Sequence, residues 1–256
     1  MKIEKNWEYG SLGLYNPNSN GSFSNLFNFL KENHNTIQGD IVEFGVYKGH
    51  SLLSIAYLLN ELGSDKIVYG FDSFSGFPPI FSKNDHFERF HDLKLKREIS
   101  DDHYNDILKN QSLLKNVYSK EFESEVSNTS SSGNFGDSNY DTLLKKINYL
   151  ELDNIILIKG DFEETIQKSH GIEKIMAAVI DCDLYNSYMN AFEFIWPRLC
   201  IDGFVHLDEY YSLKFPGGKI ATDEFIASNK DANLVITQSS DLDFKRSYLL
   251  KKTNTS

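Results

Sequence analysis

Four acidic residues sit where apolar runs of this 256-residue chain end: Asp72 after KIVYGF, Asp181 after IMAAVI, Asp208 after GFVHL, and Asp161 just past NIILIKG. Glu209 follows Asp208 directly, and Asp183 lies two residues beyond Asp181. Three or four carboxylates drawn from neighbouring strand ends make a hard oxygen site. Such a site suits Mg²⁺, with water or ligand oxygens completing the octahedron. No His or Cys stands beside them at zinc-like spacing. Asp181 and Asp208 are 27 residues apart, the span of one crossover. His206 falls on the other alternation of its strand and is read as structural, and Cys182 as a small packed residue.

A second constellation is EFGVYKGHS, residues 43–51. Glycines between a strand and a helix let a ligand approach the backbone. The helix N-terminus that follows offers free N–H groups to an anion. The pattern is neither GxGxxG nor a P-loop, since the Lys-Ser/Thr pair is missing. A purely structural glycine turn is the competing reading. Asp72 lies 29 residues after Glu43, one strand-helix-strand unit away. There an acid can accept hydrogen bonds from ribose hydroxyls, or can simply cap a helix.

These residues need a sheet to align them. Strands are expected at residues 40–45, 66–72, 154–160, 175–181 and 203–208. A closing hairpin is expected from 234–237 and 247–251. Helical spacing runs through 51–62, and through 184–199, where apolar residues fall at 184, 188, 192, 195 and 199. Strands alternating with helices imply an α/β fold with a parallel sheet covered on both faces, whose ligands collect at the strands' carboxyl ends. Residues 73–153 are too long for a plain crossover. They contain a helix expected at 101–126, a polar loop at 127–139 and a helix at 140–150. The part from about 78 to 140 is placed to act as a lid, or else to be a passive linker.

Composition narrows the partners. There are 37 acidic and 26 basic side chains, a formal net charge of -11. That disfavours sequence-independent nucleic-acid binding, which needs a basic surface, and docking on an anionic membrane. With 40% hydrophobic residues, 19 Phe and 14 Tyr, the chain can bury a core. Two cysteines make no disulfide framework. No signal-type segment or 18-residue apolar run is visible, so a cytoplasmic, single-domain protein is expected.

The motifs EFGVYKGHS, FDSFSGFP, KGDFEETI, DCDLYNSYMNAFEFIWPRL, DGFVHLDEYY and FPGGKIATDEF follow one another with characteristic spacing. From about residue 16 to 225 they resemble the macrocin O-methyltransferase family, S-adenosylmethionine-dependent sugar O-methyltransferases. The loop SSSGNFGDSNYDTL and the stretch DEYYSLKFPGGKIATDEF resemble the branch that methylates nucleotide-linked sugars. The resemblance implies a Rossmann-like class I methyltransferase: a seven-stranded, mostly parallel sheet with an antiparallel terminal hairpin and a lid insertion between strands two and three.

It further implies that Glu43, Gly45, Tyr47, Gly49 and Ser51 surround the methionine part of the cofactor. Asp72, with Ser73 and Phe74, would hold the ribose, and Asp161 and Phe162 would meet the adenine. Asp181, also beside the cofactor, would bind Mg²⁺ or Mn²⁺ together with Asp208 and Glu209. The family often carries paired aspartates where this chain has Asp208-Glu209. Catechol-type relatives carry a Lys where it has Leu184. Asp181 is the expected base, with a lid histidine (His86, His91 or His103) as its rival. The expected partner is a small nucleotide sugar, a GDP- or dTDP-linked hexose, deoxyhexose or heptose serving capsule, lipopolysaccharide or glycosylated-metabolite synthesis. The subunits are expected to form a homo-oligomer. A catechol-like diol methyltransferase and a non-catalytic cofactor-binding module are the alternatives.

Overall fold

The computed structural model describes residues 2–118, 134–238 and 245–253. Its centre is a seven-stranded sheet: β1 (Asp40–Phe44), β2 (Val68–Asp72), β3 (Ile155–Lys159), β4 (Ile175–Ile180), β5 (Leu199–Leu207), β6 (Ala232–Gln238) and β7 (Lys245–Lys251). The order across the sheet is β3-β2-β1-β4-β5-β7-β6. The first five run parallel to one another, and β7 runs antiparallel to both β5 and β6. The order reverses direction at β1, where an open α/β sheet leaves a crevice for ligands.

The central strands are apolar on both sides because helices cover both faces. All six residues of β4 are buried. Ala177 and Val179 pack on one face, with α2 (Ser24–Asn33), α3 (His50–Glu61) and α6 (Tyr140–Tyr149). Ala178 and Ile180 pack on the other, with α8 (Tyr185–Ile195) and α9 (Pro216–Ser228). A short α1 (Asn6–Leu12) precedes α2, and α7 (Phe162–Thr165) follows β3. The long insertion carries α4 (Arg89–Leu95) and α5 (Asp101–Tyr118) before α6. Residues 119–126 of the expected helix and 127–133 of the expected loop lie outside the described residues. No helix among the described residues is long and apolar enough to cross a membrane.

Five elements depart from the sequence reading. Strand β5 starts at Leu199, so α8 stops at Ile195 instead of running to 199. Helices α1 and α2 are unforeseen because their residues are mostly polar. Helix α9 begins Pro-Gly-Gly, which looks like a loop, yet Pro is well suited to a helix's first position.

Candidate active site

Strand register sets the site. Phe44 pairs with Phe71 on one side and Ile180 on the other, and Ile180 pairs with Leu207. The next residue on each strand is therefore level with its neighbours: Asp72, Gly45, Asp181 and Asp208 form one row at the carboxyl edge. Lys159, paired with Asp72, extends the row to β3.

Above this row lies a cavity of about 950 Å³. Gly45, Tyr47, Ser51, Asp72 and Ser73 line it on the β1–β2 side, and Asp161 and Phe162 at the end of β3. Asp181, Asp208 and Glu209 line it on the β4–β5 side. Glu43, Gly49 and Phe74 are not on the wall. Glu43 is fully buried behind it, where one oxygen accepts a hydrogen bond from Ser51 Oγ. Gly49 faces α6, where a β-carbon would stand 2.4 Å from Leu143 Cδ1. Phe74 is buried against the ring of Tyr140.

Asp72 holds the β1–α3 turn in shape. Its Oδ2 accepts the backbone N–H groups of Val46 and Tyr47, each at 2.8 Å, and its Oδ1 accepts that of Phe74 at 2.6 Å. A carboxylate has about four lone-pair sites, so one remains for a ligand hydroxyl. Burial lifts Glu43 from 4.5 to about 8, with Ser51 opposing and Asp72 adding to the rise. Its other oxygen, Oε2, has no hydrogen-bond partner.

One carboxylate oxygen from each of Asp181, Asp208 and Glu209 lies within 4.8 Å of the other two. Burial first, then the negative charges of Asp208, Asp183 and Glu209, push Asp181 well above the usual carboxylate range. Burial and Asp208 raise Glu209 to about 7, against the pull of Lys214. Burial works against Asp208 too, but His206, Arg246 and Lys214 together hold it below its ordinary value. His206 Nε2 lies 3.6 Å from Asp208 Oδ1 while its ring stacks on Phe23. It is buried and off the wall, as a structural histidine should be. Cys182 is buried beside the acids, and burial pushes its thiol up, away from the nucleophilic thiolate.

The insertion closes over this site. Tyr47 OH donates to Asp137 Oδ1 at 2.7 Å, and Lys48 Nζ donates to Asp137 Oδ2 at 2.5 Å. The backbone N–H of Phe77 donates to the Asn134 carbonyl at 2.9 Å. Phe135 packs on the rings of Tyr47 and Phe77, with centroids 5.2 Å apart in both pairs. Asp85, also buried, accepts the N–H of Tyr185 at 2.7 Å and so ties the insertion to the start of α8. The rival bases are not there. His86 is exposed, His91 contacts Tyr104, and His103 packs on Tyr211, so none of the three is on the cavity wall.

Several wall residues were not singled out from the sequence: Tyr15, His50, Asp85, Lys159 and Lys214. Tyr15 comes from the segment before α2, and burial followed by Asp181, Asp208 and Glu43 raises its phenol to about 12. His50, Lys159 and Lys214 fall inside the motifs EFGVYKGHS, KGDFEETI and DEYYSLKFPGGKIATDEF, whereas Tyr15 and Asp85 had no such signal.

The fold and the row of strand-end groups define a Rossmann-like methyltransferase. A family model described as a methyltransferase domain matches residues 42–210, and the chain belongs to that family. Among curated relatives, demethyldecarbamoylnovobiocin O-methyltransferase from Streptomyces niveus is 26% identical over 204 residues, 79% of this chain. The match covers 64% of that relative's length. Among solved structures, the O-methyltransferase NovP superposes with a TM-score of 0.59 at 19% identity, covering 90% of this chain and 80% of NovP. The calicheamicin methyltransferase CalS11 gives 0.58 at 19% identity, covering 96% and 80%. The O-methyltransferase TomG from Streptomyces achromogenes, solved with S-adenosylmethionine, gives 0.52 at 9% identity, covering 98% and 92%.

Proposed function

We propose that this protein is an S-adenosylmethionine-dependent O-methyltransferase acting on a sugar hydroxyl, and that Asp181, Asp208 and Glu209 hold a divalent cation, Mg²⁺ or Mn²⁺. The acceptor is a nucleotide-linked hexose, deoxyhexose or heptose. The carrying observation is the trio of carboxylates within 4.8 Å of one another, one strand away from the Gly45–Ser51 turn.

The residues present fit both groups. Three hard oxygen donors suit Mg²⁺ or Mn²⁺. Burial first and then neighbouring negative charge raise Asp181 and Glu209, and a bound cation would offset both. On the other side, the start of α3 suits the carboxylate of the cofactor's amino-acid end. Asp72 keeps an acceptor site for a ribose hydroxyl, and Phe162 offers an aromatic ring at the end of β3. A cavity of about 950 Å³ stands at the upper end of the roughly 300–1,000 Å³ usual for ligand sites. That suits a cofactor and an acceptor together.

When bound, the cofactor supplies an electrophilic methyl sulfonium and the cation lowers the pKa of a coordinated hydroxyl. The chain supplies placement and a proton acceptor. Asp181, level with the turn, takes the acceptor's hydroxyl proton on a carboxylate oxygen. The Asp72-pinned turn fixes the direction of the cofactor, and alignment of this kind accounts for much of such a reaction's acceleration. Phe77 and Phe135, above the cavity, exclude water.

The acceptor class draws support from the sequence motifs and from similar proteins named as a demethyldecarbamoylnovobiocin O-methyltransferase and a calicheamicin methyltransferase. Leu184, in place of a Lys, disfavours a catechol. The test is methyl transfer to a panel of GDP- and dTDP-sugars and catechols, followed by mass spectrometry, with and without EDTA. Metal-dependent transfer to a nucleotide sugar is expected. Transfer only to catechols, or full activity after rigorous chelation, would overturn the reading.

A further inference from the structure

The three acids come from two separate elements, the end of β4 and the turn after β5. Something must hold those elements at one spacing. Tyr188, on α8, is fully buried. Its hydroxyl donates to the Ile180 carbonyl at 3.0 Å and accepts the backbone N–H of Glu209 at 2.9 Å. The same Ile180 carbonyl accepts the N–H of Asp208 at 3.1 Å. Ile180 is the residue before Asp181. One carbonyl and one phenol therefore join the backbones that carry all three carboxylates.

From the other side, Gly218 of α9 presses on the same pair. A β-carbon there would stand 2.8 Å from Glu209 Cβ and 3.2 Å from the Tyr188 ring. Glu209 is thus held between the Tyr188 hydroxyl and the backbone of α9. Tyr188 is otherwise surrounded by apolar residues, including Phe192, so an apolar side chain would satisfy its packing alone. Only the hydroxyl accounts for the two polar contacts.

We infer that Tyr188 is a positioning residue that sets the separation of Asp181, Asp208 and Glu209, and hence the affinity of the site for a divalent cation. This rests on the metal reading proposed above. Replacing an outer partner of a metal ligand typically costs about 10–100-fold in affinity or activity.

The test is direct Mn²⁺ binding to the purified full chain, followed by electron paramagnetic resonance, for wild type, Tyr188→Phe, Gly218→Ala and Phe192→Leu. The last removes core packing on the same helix, where Phe192 stacks on Phe225 at 4.2 Å, and leaves the phenol in place. Tyr188→Phe is expected to bind Mn²⁺ at least tenfold more weakly, with S-adenosylmethionine affinity within twofold of wild type. Gly218→Ala should weaken Mn²⁺ in the same way, and it decides the matter if Tyr188→Phe does not fold. Phe192→Leu should lose stability and keep Mn²⁺ affinity. Unchanged Mn²⁺ binding in folded Tyr188→Phe or, in its place, Gly218→Ala overturns the inference. So does an equal loss in Phe192→Leu, which would make the effect one of general packing. If wild type itself binds no Mn²⁺, the metal reading fails, and this inference fails with it. If wild type binds and the variants bind equally well, only the bridge is wrong.

Discussion

Gly45 and Asp181 meet backbone to backbone: a β-carbon on Gly45 would stand 1.9 Å from the Asp181 carbonyl oxygen. Gly45 also has a φ of +92°, a region L-residues avoid. The turn proposed to hold the cofactor and the strand end carrying the proposed base are therefore in contact. Gly45→Ala should cost about 1–3 kcal/mol from overpacking alone, and more from the backbone. Urea denaturation should show the loss, and methyl transfer should fall at least tenfold in the fraction that stays folded.

Asp72 and Asp181 should separate by phenotype. Asp72→Ala strips the acceptor from three backbone N–H groups. Leaving such groups unpaired costs about 1–3 kcal/mol where water cannot replace the partner. Calorimetry should show S-adenosylmethionine binding weakened tenfold or more, with a lowered Tm. Asp181→Asn should keep cofactor affinity and lose turnover.

Metal removal should act through the trio alone. EDTA should abolish methyl transfer, and Mg²⁺ or Mn²⁺ should restore it. Asp208→Asn and Glu209→Gln should each raise the Mg²⁺ concentration for half-maximal rate by tenfold or more. Titration of the metal at saturating cofactor and acceptor reads this out.

Asp137 joins the insertion to the cofactor turn through Tyr47 and Lys48. Its contacts are exposed, and exposed ion pairs add little to stability. Asp137→Ala should leave Tm nearly unchanged. If the insertion serves as a lid, the acceptor's KM should rise several-fold, because the contacts that fasten it to the turn are lost. Initial-rate kinetics and a thermal melt on the same preparation check both halves.

Glu43 gives a pH signature. Its carboxyl rises from 4.5 to about 8 in the fold, chiefly through burial. Between those values the folded chain holds a proton that the unfolded chain has released. Its contribution to stability is full below 4.5 and is lost as pH rises through about 8. Glu43→Gln should flatten the fall in stability of the cofactor-free protein between pH 5 and 8, measured by denaturant titration at several pH values.

The five parallel strands were legible because each has an apolar run with an acid or glycine at its end. IMAAVI before Asp181 has no other good solution than a strand buried on both faces. The row Asp72, Gly45, Asp181, Asp208 follows once those strands are parallel and in register. Helix α9 was hidden because its glycines serve close contacts, Gly217 with Asp85 and Tyr185 and Gly218 with Glu209 and Tyr188, a requirement invisible from residues 216–228 alone. The lid histidines looked like candidate bases by residue type, yet α4 and α5 turn His91 and His103 toward Tyr104 and Tyr211.

What the sequence by itself determined was the α/β class, the edge of the sheet where chemistry belongs, and most of the acids that gather there. Those follow from local periodicity and from the alternation of strand and helix. Tertiary structure alone decided that Tyr15 reaches the cavity from the N-terminal segment, that Asp137 and Asp85 fasten the insertion, and that Tyr188 joins the backbones bearing Asp181 and Glu209. Each of those contacts links elements far apart in the chain. Their geometry is set by how helices seat on the two faces of the sheet, and a side chain's partner across such a gap leaves no periodic trace in the sequence around it.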